Sequence, residues 1–247
     1  MKQAWTFILL IALLPLFWQC RRSDDIQTIP AQNDTGSGNN TPLPPGTKTF
    51  LALGDSYTIG QGVPETDRFP AQTIQILRNN GIFFSQLKYI ATTGWTTLSL
   101  ENAINTQQPQ QQAPYSIVTL LIGVNDQYQI HDTFGYRERF TRLLNTAISL
   151  AGNQRQRVFV LSIPDYSVTP FARGFDTARI RRELDLFNLI NRSVTIDNNV
   201  SYTDITPSTR LAATDKTLLC PDSLHPSGKE YRKWAELLSP QMQQALQ

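Results

Sequence analysis

The chain has 247 residues, with 22 Lys and Arg against 20 Asp and Glu, two His and two Cys. A formal charge of +2 excludes a basic nucleic-acid binder, which needs a dense stripe of cations to neutralise phosphates and release counterions. Two cysteines exclude a disulfide-stapled scaffold, and two histidines exclude a His-rich metal cluster. Hydrophobic residues make up 40% of the chain, enough for one sizeable core, and the length suits one domain of about 200 residues with appendages.

Residues 1–20 read as a signal peptide. Met1-Lys2-Gln3 is a short basic start, and Ala4 to Trp18 runs without a charge. That run is shorter than the roughly 20 apolar residues of a transmembrane helix and fits the apolar region of an export signal. Cys20 follows at once, an arrangement that resembles a bacterial lipoprotein signal, in which the cysteine is lipidated. The match departs from that pattern at Phe17 and Gln19, where Leu and a small residue are usual. An ordinary signal or a short membrane anchor ending in Cys is the alternative. Both lipoprotein and ordinary-signal readings imply an exported protein, in the periplasm or at the outer membrane or cell surface. Membrane contact would then be only through the N-terminal anchor. Residues 21–48, with DTGSGNN and PLPPG, show no apolar periodicity and read as a flexible tether. As a coil they span roughly 30 Å. Residues 49–247 form the remaining domain.

In chain order, Phe50 to Leu53 reads as a buried strand, and Phe69 to Asn79 as a helix stopped by Gly81. Leu87 to Ile90 is a second strand, and YSIVTLLI (Tyr115 to Ile122) is the strongest buried-strand signal in the chain. Phe140, Leu143, Leu144, Ala147 and Ile148 mark one face of a helix ended by Gly152. Val158 to Leu161 is a fourth strand. A helix carrying Ile180, Leu184, Phe187 and Val194 follows, then a strand from Val200 to Ile205 and a terminal helix from Ser227 to Ala245. Alternating helices and continuously apolar strands predict an α/β fold with a parallel sheet covered on both faces. Sites in such sheets lie at the carboxyl ends of the strands.

Those ends carry Gly54-Asp55-Ser56-Tyr57, Thr93-Gly94-Trp95 and Gly123-Val124-Asn125-Asp126, and Asp222-Ser223-Leu224-His225 precedes the last helix. Together they offer a hydroxyl, a glycine-turn amide, a side-chain amide and a carboxylate–imidazole pair, the parts of a serine hydrolase. Asp222 and His225 stand three apart, so one turn can place both on one side.

GDSYTIG, TTGWTT, LLIGVND, LSIPDYSVTPF and DSLHPSGK resemble, in order, the blocks of the SGNH (GDSL-type) hydrolases, esterases and lipases. The resemblance spans nearly all of residues 49–247. Within the family it is most similar to secreted lysophospholipase-like esterases of Bacteroidetes type. The resemblance implies Ser56 as nucleophile, His225 as general base and Asp222 as its partner. It implies the amides of Ser56 and Gly94 and the Asn125 side chain as an oxyanion hole. It further implies a three-layer α/β/α sandwich around a five-stranded parallel sheet, flavodoxin-like, with no metal and no organic cofactor. The substrate would be a small-molecule, lipid or polysaccharide ester.

Other residues compete for these roles. Asp55 is expected to hold the turn beside Ser56, and Asp126 to make hydrogen bonds within its loop. His131 is expected to be exposed in a polar loop, without a partner. Cys220 reads as a packed free thiol. The chain has no G-x-S-x-G elbow, no H-E-x-x-H and no P-loop, and Gly60-Gln61-Gly62 lacks a third glycine. Trp95, Phe171 and Phe175 line either an acyl groove or a sugar platform, or serve as core packing. Three readings of the one site stay open: an ester hydrolase, an acyltransferase or carbohydrate O-deacetylase, and a catalytically inactive envelope-binding lipoprotein.

Overall fold

The computed structural model describes residues 46–247, so the signal peptide, Cys20 and all but the last residues of the tether lie outside it. Five strands form one parallel sheet: β1 (Lys48–Gly54), β2 (Phe84–Ala91), β3 (Ile117–Leu121), β4 (Val158–Leu161) and β5 (Ser201–Thr203). The spatial order is β2-β1-β3-β4-β5. The winding direction therefore reverses between β1 and β3, and in open α/β sheets the crevice at such a reversal is where ligands bind. Leu53 pairs with Ile90 on one side and Leu120 on the other. Every residue of β3 and β4 is buried, which is why these strands read as unbroken apolar runs rather than alternating ones.

Eight α-helices lie among the described residues. They are α1 (Ser56–Ile59), α2 (Phe69–Asn79), α3 (Thr97–Gln107), α4 (Val124–Gln129), α5 (Thr133–Leu150), α6 (Thr177–Asp197), α7 (Thr206–Arg210) and α8 (Gly228–Leu246). Helices α2 and α8 pack together on one face, and α3, α5 and α6 on the other. Phe69, Thr73 and Leu77 recur every four residues along the buried side of α2. They meet Tyr231, Trp234 and Leu238 of α8, with the Phe69 and Trp234 rings 5.9 Å apart. Burying each such large side chain stabilises the fold by about 1.5–3 kcal/mol. Helix α2 ends where Ile82 N–H turns back to the Leu77 carbonyl, past Gly81.

The anticipated strands and long helices are present, with β2 at eight residues running past both ends of Leu87–Ile90 and β3 at five falling inside Tyr115–Ile122, and with three further differences. Strand β1 starts at Lys48, one residue inside the segment read as tether. The last strand is β5, three residues instead of the expected six, because Ser162 Oγ accepts the amides of Ile205 and Thr206 and draws the chain out of the ladder. The stretch 126–135, read as a polar loop, is mostly helical: α4 runs to Gln129, and Asp132 caps α5 by accepting the amides of Phe134 and Gly135.

Candidate active site

The chain turns sharply from β1 into α1. A side chain on Gly54 would collide with Thr58 and with the Leu121 carbonyl, so only glycine lets β1 pass this close to β3. Asp55 caps α1 by accepting Tyr57 N–H at 3.0 Å, the turn-holding role expected of it. This leaves Ser56 as the first residue of α1, at the carboxyl end of β1 and beside the sheet's reversal point.

Ser56 Oγ lies 2.9 Å from His225 Nε2, and His225 Nδ1 lies 2.7 Å from Asp222 Oδ2. The other oxygen of Asp222 accepts the backbone amides of Leu224 and His225, each at 2.9 Å. Ser223 sits between them at φ 62°, and Cys220 N–H donates to the His225 carbonyl at 2.7 Å. The tight loop thus aims its own carboxylate and imidazole at the serine. Burial opposes the Asp222 charge, but the two amides and the imidazole prevail and hold its carboxyl below the usual range. Ser56 and His225 are buried, and the Tyr57 ring packs against the imidazole at 5.2 Å.

Gly94 occupies the third position of a turn closed by Trp95 N–H to the Thr92 carbonyl, at φ 82°. A positive φ there is the signature of a type II turn and favours glycine. Two side chains of α4 grip this turn: Asn125 Nδ2 donates to the Trp95 carbonyl at 3.0 Å, and Gln129 Nε2 to the Gly94 carbonyl at 3.1 Å. Ser56, Gly94, Asn125 and His225 all line one cavity of about 120 Å³. The structure therefore brings together every residue the sequence singled out for the site on the described part of the chain. Cys20 lies outside the described residues.

The opposite wall is apolar, formed by Tyr128, Tyr166, Phe171 and Leu224. Of the three aromatics considered from sequence, Phe171 lines the cavity. Phe175 stands behind it, edge-on at 5.7 Å and 85°, and Trp95 packs against the core. Tyr128 and Tyr166 were not anticipated. Tyr128 stands three residues beyond Asn125, on the same face of α4, and that spacing was the available signal.

Asp126 and His131 differ from expectation. Asp126 is buried on α4 and bonds across to Thr97 and Arg139, not within a loop. His131 is exposed but has a partner: its Nδ1 lies 2.7 Å from Glu183 Oε2 on α6. Glu183 also accepts from the Gln127 side-chain amide, whose Oε1 receives the Tyr166 hydroxyl. Cys220 is a buried free thiol, 3.0 Å from the Pro226 carbonyl. Burial and Asp222 push it up to about 11, which keeps it protonated and unreactive near neutrality. Among the described residues no group of three His, Cys, Asp or Glu side chains is placed to hold a metal ion.

Comparison with known proteins bears on this arrangement. No curated protein matches the chain in sequence. Among solved structures, TesA superimposes with a TM-score of 0.63 at 14% identity, covering 80% of this chain and 99% of its own. The lipase/acylhydrolase from Enterococcus faecalis gives 0.61 at 16%, covering 80% and 96%. A psychrotrophic esterase from Pseudoalteromonas sp. gives 0.60 at 16%, covering 80% and 97%. At such identities these likenesses speak for the fold, a five-stranded parallel sheet between helical layers. The GDSL-like Lipase/Acylhydrolase family matches residues 52–233, from within β1 to within α8, and so takes in the whole cavity wall described above. The chain is a member of that GDSL-like lipase/acylhydrolase family of hydrolases.

Proposed function

We propose that the protein is a carboxylic-ester hydrolase working through an acyl-enzyme, with Ser56 as nucleophile, His225 as general base and Asp222 holding the imidazole. The observation that carries this reading is the unbroken line from Ser56 Oγ through both imidazole nitrogens to Asp222, at 2.9 and 2.7 Å. In the first step Ser56 Oγ bonds to the ester carbonyl carbon as its proton passes to His225 Nε2. Collapse of the tetrahedral adduct breaks the bond to the alcohol, which takes that proton as it leaves. Water, deprotonated by the same imidazole, then releases the acid. Asp222 accepts from Nδ1–H, which fixes the tautomer with Nε2 free to act as base.

The oxyanion is received by the amides of Ser56 and Gly94 and by the Asn125 side chain. Neither amide donates to another group among the described residues, and the bond from Asn125 to Trp95 engages only one amide hydrogen. An apolar cavity of roughly 150 Å³ holds a benzene molecule, so about 120 Å³ suits the first few carbons of an acyl group. The acyl part of a short-chain ester fits it whole.

The decisive experiment compares wild type with Ser56→Ala on p-nitrophenyl acetate, alongside labelling by a fluorophosphonate. The proposal requires that hydrolysis and labelling both vanish in the variant; hydrolysis at the wild-type rate would refute it. Export belongs to the same reading, with residues 1–20 as signal and Cys20 as the lipid attachment point. Metabolic labelling with a radioactive fatty acid should then mark the wild type and not Cys20→Ser.

A further inference from the structure

All four exposed aromatic side chains among the described residues lie in the connections that leave the carboxyl ends of β3 and β4. Tyr128 is on α4, Phe134 opens α5, and Phe171 and Phe175 are in the segment leading to α6. Ile130, also exposed, stands between the first two. Phe134 is 88% exposed, although water is its least favourable surrounding. The His131–Glu183 contact brings the 128–134 group beside the first two turns of α6, the helix that Phe175 precedes by two residues. Tyr128 and Phe171, 6.2 Å apart, belong both to this patch and to the cavity wall, so the patch adjoins the site.

We infer that this face docks on an anionic lipid surface, with Phe134, Phe171 and Phe175 entering the headgroup layer and Arg173 meeting the phosphates. The inference goes beyond the lipid anchor, because it assigns contact to the folded domain itself. It does not require the hydrolysed ester to be a lipid.

Ring geometry argues against a sugar platform. Phe171 and Phe175 meet at 85°, Tyr128 and Tyr166 at 79°, and Tyr166 and Phe171 at 66°. In these pairs one ring turns its edge to the other, so the rings beside the cavity do not align into one flat platform for a pyranose to stack on. Protruding ring edges suit the interfacial layer of a membrane, where aromatic residues concentrate.

The charges fit the same partner. Arg173, between the two phenylalanines, is exposed, as is Arg182 on α6, and neither is in an ion pair among the described residues. Arg179 and Arg181 are engaged with Glu183 and Asp165. The nearby Asp132 and Asp176 keep their charge, but each caps a helix N-terminus, whose positive dipole end offsets part of it. Free cations beside apolar side chains are drawn to anionic headgroups.

Hydrogen–deuterium exchange on the full chain, carried in the Ser56→Ala background to prevent turnover, tests this locally whether or not the anchor is present. Vesicles of phosphatidylcholine with phosphatidylglycerol should protect residues 126–135 and 169–176, and pure phosphatidylcholine should protect them less. Phe134→Ser with Phe175→Ser should abolish that protection. With Ser56 restored, the same double variant should keep wild-type turnover of soluble p-nitrophenyl acetate, since neither residue lines the cavity. No protection by vesicles, protection by acetylated xylan instead, or protection that appears on concentrating the protein alone would each overturn the inference. None of these outcomes depends on whether Ser56 is the nucleophile.

Discussion

Asp126 accepts both the amide and the hydroxyl of Thr97, at 2.8 and 2.5 Å, with no part of its side chain exposed. This pair ties α4, which carries Asn125, to the start of α3, which follows the Gly94 turn. Arg139 of α5 completes the cluster by donating to both residues. Asp126→Ala would leave a buried amide and a mostly buried guanidinium without their acceptor. Removing one member of such a pair costs about 3–5 kcal/mol, or roughly 10 °C in Tm for a domain of this size. Urea unfolding should show that loss, and turnover should fall in the folded fraction as Asn125 and Gly94 move apart. A variant of unchanged stability would show that the cluster is incidental.

The three members of the proposed triad should not be equal on substitution. Ser56→Ala and His225→Ala remove the groups that form bonds to carbon and proton, and each should cost about 10⁶ in kcat. Asp222→Asn keeps the oxygen that receives the Leu224 and His225 amides, but can present an N–H to Nδ1 and so favour the wrong tautomer. Its cost should be about 10⁴. Steady-state kinetics on one soluble ester would rank them, and an Asp222→Asn as dead as Ser56→Ala would contradict the role given to it.

What could be read from the sequence followed from how locally each feature is determined. Helix α2 was legible to its ends because Phe69, Thr73 and Leu77 repeat on one face and Gly81 stops it. Helix α3 gave no such signal: it buries only Thr97, Leu100 and Ile104 among polar neighbours, and tertiary contacts hold it. Ser56, Gly94 and Asn125 were legible because each stands just beyond an apolar strand, where the sheet's winding sends it to one crevice. Tyr166 was not, because its place depends on a hydroxyl bond to Gln127, 39 residues away. His131 was assigned no partner because Glu183 lies 52 residues downstream, and no local pattern links them.

The apolar wall should set chain-length preference. Tyr128, Tyr166, Phe171 and Leu224 close the cavity at about 120 Å³, and Phe171 is the one of the three rings that also packs on Phe175 outside it. Among p-nitrophenyl esters, wild type should favour acetate to butyrate over longer chains. Phe171→Ala should lengthen the preferred chain, raising kcat/KM for octanoate relative to acetate with little change for acetate itself. A variant with the wild-type profile would show that the wall does not measure the chain.

Asp55 provides a test by pH. Burial pushes its carboxyl up to about 8, against the pull of the Tyr57 amide and reinforced by Asp126. Between pH 4 and pH 8 the folded chain therefore holds a proton that the unfolded chain has released. Across that window this group's contribution to stability falls as pH rises, by up to about 1.4 kcal/mol per unit; above pH 8, where both states are ionised, it no longer changes. Asp55→Asn cannot ionise, yet keeps an oxygen to accept Tyr57 N–H. Comparing urea unfolding of the two proteins cancels the titration of every group that does not interact with Asp55. The stability of Asp55→Asn relative to wild type should climb from pH 5 to pH 8 and level off beyond it. A difference independent of pH would mean that Asp55 is charged in the folded protein throughout, and that the turn beside Ser56 is built around an anion.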